Sequence, residues 1–77
     1  MIELDLHGLT HEEVWDVVEN FVLMNSEDLP LRIITGHSDR MKDLVRGVLD
    51  SYNYSYESPA HNSGEIVVMG DNDNFFE

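Results

Sequence analysis

The chain has 77 residues and no cysteine, and its sixteen acidic residues against four basic ones give a formal net charge of −12. A chain of this length forms one small domain without disulfides or thiolate zinc sites, and with no signal-peptide pattern and no long apolar run it is expected to be a cytoplasmic monomer that does not enter membranes. The negative charge disfavours non-specific nucleic-acid binding, which depends on Lys and Arg, and leaves a basic partner protein as a second possibility.

The first half of the chain begins with a predicted strand followed by a predicted helix. Residues 2–6 alternate apolar and acidic side chains, which is the period of a strand with one buried face. Thr10 and Glu13 have the spacing of a capping box at the start of a helix, and the helix should end near Asn25. The apolar side chains of the strand should face the helix layer, and its acidic side chains should face outward.

The second half predicts a more central strand and a second helix. Residues 31–35 are short, β-branched and mostly apolar, as in a buried strand. Ser38 or Asp39 can cap the following helix, whose apolar stripe covers residues 41–52 with clear helical periodicity. Two further strands at residues 54–57 and 65–69, and an acidic C-terminal tail at residues 71–77, complete the chain.

The order of these elements, β-α-β-α-β-β, predicts an α/β (α+β) fold. The first three elements form a crossover that makes the first two strands parallel. Two helices are enough to cover one face of a sheet, so the expected architecture is a two-layer sandwich with a four-stranded mixed sheet and both helices on one face. Residues 1–70 would form this single domain.

Polar side chains and glycines stand where the two parallel strands end. Asp5, His7 and Gly8 close the first strand, and Gly36 and His37 close the second. The carboxyl ends of parallel strands lie at one edge of a sheet, where ligands bind in open α/β folds. We therefore expect the carboxylate and the two imidazoles to converge, with the glycines allowing a ligand to approach the backbone.

Three of the four basic residues follow immediately, in the second helix: Arg40, Lys42 and Arg46. A helix N-terminus with nearby cations suits a phosphate group, so these residues and Ser38 are candidate substrate contacts. The alternative is an exposed helix face whose cations pair with neighbouring aspartates.

Two segments of the chain resemble motifs of the Smr (small MutS-related) domain family. The family motif L-D-L-H-G is present unchanged at residues 4–8, and T-G-H-G is matched at residues 35–37 with Ser38 at the last position. Met41-Lys42 take the positions of a Leu-Arg pair in the family, and Asp39 stands where a glycine is usual. The resemblance extends from the first strand to the last.

Smr domains are associated with cleavage of RNA and nicking of DNA. The resemblance implies that this chain is a stand-alone endonuclease acting on RNA or structured DNA, with Asp5, His7 and His37 as catalytic residues and Lys42 as a phosphate contact. A histidine would act as general acid or base, and no cofactor is expected. A divalent metal held by Asp5, His7 and His11 is an alternative. A second alternative is a weak or inactive binding module for nucleic acid or protein.

Overall fold

The computed structural model describes residues 1–58 and 64–71. The elements follow the predicted order and form the predicted α+β sandwich of a four-stranded mixed sheet and two helices. Their bounds are β1 Ile2–Asp5, α1 His11–Met24, β2 Leu31–Ile34, α2 Asp39–Ser51, β3 Tyr54–Glu57 and β4 Glu65–Asp71.

The sheet has the strand order β1-β2-β4-β3. β1 and β2 are parallel, with Asp5 opposite Ile34, whereas β4 is antiparallel to both β2 and β3. Because β1 and β2 run in the same direction and end opposite each other, the loops that follow them leave the same edge of the sheet. The predicted convergence of the two motif segments depends on this pairing.

The core lies between the sheet and the helix layer. The central strands contribute alternate side chains, with Leu31 and Ile33 from β2 and Ile66 and Val68 from β4, as expected for strands with one buried face. The helices contribute residues at helical spacing. Their fully buried apolar side chains are Val14, Val18 and Val22 of α1 and Val45, Val48 and Leu49 of α2.

Three strand ends differ from the predicted ones. β2 ends at Ile34, one residue before its predicted end. β1 ends one residue earlier than expected, because Leu6 already belongs to the turn that follows. β4 continues two residues further, because Gly70 and Asp71 pair with Ser55 and Tyr54 across a β-bulge. Ile2, which was expected to face the helices, is 40% exposed at the edge strand. The rest of the predicted acidic tail, residues 72–77, lies outside the described residues.

Local hydrogen bonds begin both helices where the sequence predicts. Thr10 is the N-cap of α1, and its backbone N–H donates to Glu13 Oε1 over 3.0 Å, which is one half of the predicted capping box. Ser38, rather than Asp39, is the N-cap of α2, and its Oγ accepts from the backbone N–H of Met41 at 3.1 Å. Neither described helix is long and apolar enough to cross a lipid bilayer.

Candidate active site

A tight turn follows β1 and presents His7 at the edge of the sheet. The backbone N–H of Leu9 donates to the carbonyl of Leu6 at 3.2 Å, which closes a four-residue turn with His7 and Gly8 at its centre. Gly8 has φ +85°, the value that a type II turn requires at its third residue and that favours glycine. The Gly8 of the motif is therefore explained by the turn itself.

Asp5 fixes the orientation of His7 through two hydrogen bonds to one oxygen. Asp5 Oδ1 accepts from the backbone N–H of His7 at 2.9 Å and from its ring Nδ1 at 2.7 Å. The backbone bond, followed by the ring bond, holds the pKa of Asp5 below its usual value of 3.8. Both side chains remain open to solvent, with exposures of 58% for Asp5 and 74% for His7.

This pairing uses Nδ1 of His7 and leaves the other ring nitrogen, Nε2, outside the bond to Asp5. When Nδ1 donates to a carboxylate, the neutral imidazole carries its free lone pair on Nε2. A Cβ added at Gly36 would lie 3.7 Å from this Nε2. Nε2 of His7 in the first motif therefore faces Gly36 of the second, as the parallel pairing of β1 and β2 predicts.

The beginning of β4 holds the second glycine turn in place. The carbonyl of Gly64 accepts from the backbone N–H of Thr35 at 2.8 Å and from that of Gly36 at 3.1 Å. Gly36 has φ +70°, and Thr35 Oγ1 donates to its carbonyl at 2.9 Å. A Cβ at Gly64 would lie 3.7 Å from the Gly36 Cα, so the two backbones pack directly on each other. Gly64 thus holds the Gly36 turn in place through backbone contacts, and the Cβ position of Gly36 faces His7.

His37 and Ser38 connect this turn to α2. Both residues are exposed, and His37 follows directly after the glycine that His7 faces. The Ser38 side chain is occupied in capping α2 through its bond to Met41. Asp5 and His7 of the predicted catalytic set are thus in direct contact, whereas His37 is related to them as the residue that follows Gly36.

The three candidate cations of α2 have different surroundings. Arg40 is exposed in the first turn, whereas Lys42 is only 9% exposed. Arg46 is half-buried and forms an ion pair with Asp43 at 3.0 Å between Nη1 and Oδ1. The alternative interpretation, in which the cations pair with aspartates of their own helix, therefore applies to Arg46.

The alternative metal site has limited support in the described part of the chain. Within residues 1–58 and 64–71, no group of three or more His, Asp or Glu side chains is arranged to hold a metal ion. Asp5 and His7 are bonded to each other, and His11 is the first residue of α1 and is exposed.

Two features of the site have no counterpart in the sequence analysis. Gly64 supports the Gly36 turn through its carbonyl, in a bond that joins residues far apart in the chain. The burial of Lys42 is equally unexpected, because a lysine in a first helical turn is usually exposed. A signal for Gly64 does exist, since a glycine directly before a strand marks a place where two backbones can pack closely.

Comparison of the chain with models of protein families, with curated proteins and with solved structures gives no match.

Proposed function

We propose that the chain is an Smr-like endonuclease that cleaves phosphodiester bonds in RNA or structured DNA. The observation that carries the proposal is the contact between the two motif segments: His7 is fixed by Asp5, and its Nε2 faces Gly36, the residue before His37. A phosphate group bound at Gly36 would be within reach of His7, and we assign the second imidazole to His37, the next residue in the chain. We further propose that the protein acts as a cytoplasmic monomer.

On RNA, the two histidines would divide the proton transfers between them. One imidazole removes the proton of the 2′-hydroxyl while O2′ attacks phosphorus. The bond from phosphorus to O5′ breaks, and the second imidazole protonates the departing O5′, leaving a 2′,3′-cyclic phosphate and a 5′-hydroxyl. Imidazoles suit this exchange because they gain and lose protons near neutral pH. On DNA, which has no 2′-hydroxyl, water would be the nucleophile.

Asp5 and Gly36 would prepare this reaction without exchanging protons with substrate. The Asp5 carboxylate keeps the Nδ1 proton in place and stabilises the imidazolium that forms when Nε2 takes a proton. Gly36 leaves space beside Nε2, and at φ +70° it adopts a conformation that other residues resist. No metal ion is needed for these steps.

A catalytically weak or inactive binding module is the second candidate, and the charge of the chain favours it. At a formal charge of −12, long-range attraction to nucleic acid is weak. Asp39, which is exposed at the start of α2, adds a local negative charge beside the proposed phosphate position. The same surface would suit a basic partner protein.

Cleavage assays with histidine variants test the proposal. Wild type, His7→Ala, His37→Ala and Asp5→Asn are incubated with three substrates. These are end-labelled single-stranded RNA, a stem-loop RNA, and supercoiled circular DNA, which becomes an open circle when it is nicked. Each histidine variant should lose at least 100-fold in cleavage rate, because general acid-base catalysis contributes about 10²–10⁴-fold. Asp5→Asn should lose less, since the catalytic imidazole remains. Products with a cyclic phosphate identify the 2′-hydroxyl as the nucleophile.

The exposed His11 provides the matched control. His11→Ala removes an imidazole four residues after His7 that has no role in the proposed reaction. The cleavage rate of this variant should therefore equal that of wild type. Circular dichroism spectra and unfolding midpoints of all variants confirm that they are folded. Binding without cleavage by wild type favours the second candidate, and cleavage that survives in the double variant His7→Ala, His37→Ala contradicts the catalytic assignment.

A further inference from the structure

Two contacts between the helices show their relative direction. A Cβ added at Gly47 of α2 would lie 3.2 Å from Cζ3 of Trp15 in α1. Further along, the hydroxyl of Tyr52, the residue that follows α2, donates to the Glu19 carboxylate of α1. Both contacts advance in the same chain direction, so α1 and α2 run parallel.

The first turn of α2 follows directly after the second motif. α2 begins at Asp39, three residues after Gly36, and a Cβ at Gly36 would lie 3.7 Å from His7 Nε2. Arg40 therefore stands four residues after the glycine that His7 faces, in the first turn of α2.

Helical geometry also sets the side of α2 on which Arg40 stands. Arg40 precedes Gly47 by seven residues, which is about two turns, so both residues lie on the same stripe of the helix. Gly47 contacts Trp15 of α1. Arg40 therefore emerges on the side of α2 that faces α1, and it is exposed there.

The other two cations of α2 lie on the opposite side of the helix. Lys42 and Arg46 are four residues apart and share a stripe of the helix. Burial raises the pKa of Tyr56 in β3, a bond to Asp50 raises it further, and the charge of Arg46 opposes this rise, which places Arg46 close to that strand. Arg46 is also paired with Asp43, and Lys42 is buried.

We propose that Arg40 is the residue that contacts the phosphate of the substrate at the His7 turn, and that Lys42 and Arg46 do not take this role. The inference rests on the proposed function and names the cation that serves the same site. A guanidinium can donate two parallel hydrogen bonds to phosphate oxygens, which a lysine cannot. In the described part of the chain Arg40 pairs with no carboxylate, so its donors are available to a ligand.

Binding of a non-cleavable oligonucleotide tests this role separately from catalysis. The probe is a fluorescein-labelled stem-loop of 2′-O-methyl RNA, which lacks the nucleophilic hydroxyl. Affinities are measured by fluorescence anisotropy at several salt concentrations for wild type, Arg40→Gln and Arg32→Gln. Arg32 is the matched control because its substitution removes the same charge from the open face of the sheet, where Arg32 pairs with Glu3 and Glu65.

Arg40→Gln should bind about tenfold more weakly, the effect of losing hydrogen bonds to a charged group. The slope of log affinity against log salt should fall by about 0.7–0.9, the value for one phosphate contact. Arg32→Gln should change affinity less than twofold. Equal losses in both variants, or a larger loss in Arg46→Gln, overturn the inference while histidine-dependent cleavage by wild type leaves the proposed function standing. If wild type neither binds this probe nor cleaves the RNA and DNA substrates, both the inference and the proposed function are overturned.

Discussion

His7 Nε2 faces the α-carbon of Gly36, and a Cβ built on this glycine would lie 3.7 Å from the nitrogen. The two residues are 29 positions apart and come from different motifs, but they follow parallel strands that end opposite each other. The space beside this nitrogen is therefore kept open by the absence of a side chain. Filling that space should slow cleavage beyond any effect on folding.

Gly36→Ala should lower both stability and cleavage, and Gly8→Ala should separate the two effects. Both glycines have positive φ, +70° for Gly36 and +85° for Gly8, so an alanine at either position should destabilise the fold by about 1–2 kcal/mol. The methyl group at position 36 would lie beside His7 Nε2, whereas a Cβ at Gly8 has no neighbour within 4 Å apart from the residues next to it in the chain. Urea unfolding and initial cleavage rates measure the two effects.

At a temperature where both alanine variants are fully folded, Gly36→Ala should cleave at least tenfold more slowly than Gly8→Ala. Equal rates in the two variants would mean that the space beside Nε2 is not used by substrate, and would count against the position proposed for the phosphate.

The sequence predicts most of the fold because its signals are local. The alternation of apolar and acidic residues in β1, the Thr10–Glu13 pair and the stripe of α2 each determine an element by themselves. The extra residues of β4 could not be predicted in this way. Gly70 and Asp71 pair with a neighbouring strand only because a β-bulge adjusts the register, and their own side chains carry no strand signal.

The candidate site is predicted in part for the same reason. The residues Asp5, His7 and Gly8 are close in sequence, and their hydrogen bonds and turn follow from the motif itself. The surroundings of Lys42 and the support of Gly36 by Gly64 depend on how distant elements pack. A charge count along α2 treats its three cations as equivalent, and only the packing of the helices separates them.

The Asp5 carboxyl should titrate below pH 3.8, because His7 donates two hydrogen bonds to its ionised form. The ionised carboxylate is favoured in the folded state, so its contribution to stability is present above this pH and is lost as the pH falls through the lower, folded-state pKa. The ¹³Cγ chemical shift of Asp5 in an acid titration by NMR reports the pKa directly.

His7→Ala should move this pKa only part of the way back. The variant loses the ring bond and the charge of the imidazole but keeps the backbone N–H, which is the largest cause of the lowered pKa. An intermediate titration midpoint is therefore expected. A midpoint at or above 3.8 in wild type would mean that the paired geometry is not maintained in solution.

Ser38→Gly should cost a few tenths of a kcal/mol in the free energy of unfolding, whereas Ser38→Ala should cost about 1 kcal/mol. The serine caps α2 by accepting from the Met41 N–H; glycine leaves that N–H accessible to water, and alanine neither accepts the bond nor exposes the group. Urea unfolding of the two variants measures the difference. Ser38→Gly should also retain cleavage, since the proposal gives the hydroxyl no chemical role. Equal destabilisation by both substitutions would indicate that the cap contributes little.

Gly47→Ala should stabilise the protein by about 0.5 kcal/mol, although the new methyl group would lie 3.2 Å from Trp15 Cζ3. Alanine is favoured over glycine inside a helix by up to about 1 kcal/mol, and the Trp15 ring, which is 39% exposed, can move outward by a few tenths of an ångström. In a Trp15→Ala background the same substitution should give the full gain, so a double-mutant cycle measured by urea unfolding isolates the contact. Additive effects in that cycle would contradict the contact between Trp15 and Gly47, and with it the placing of Arg40 on the side of α2 that faces α1.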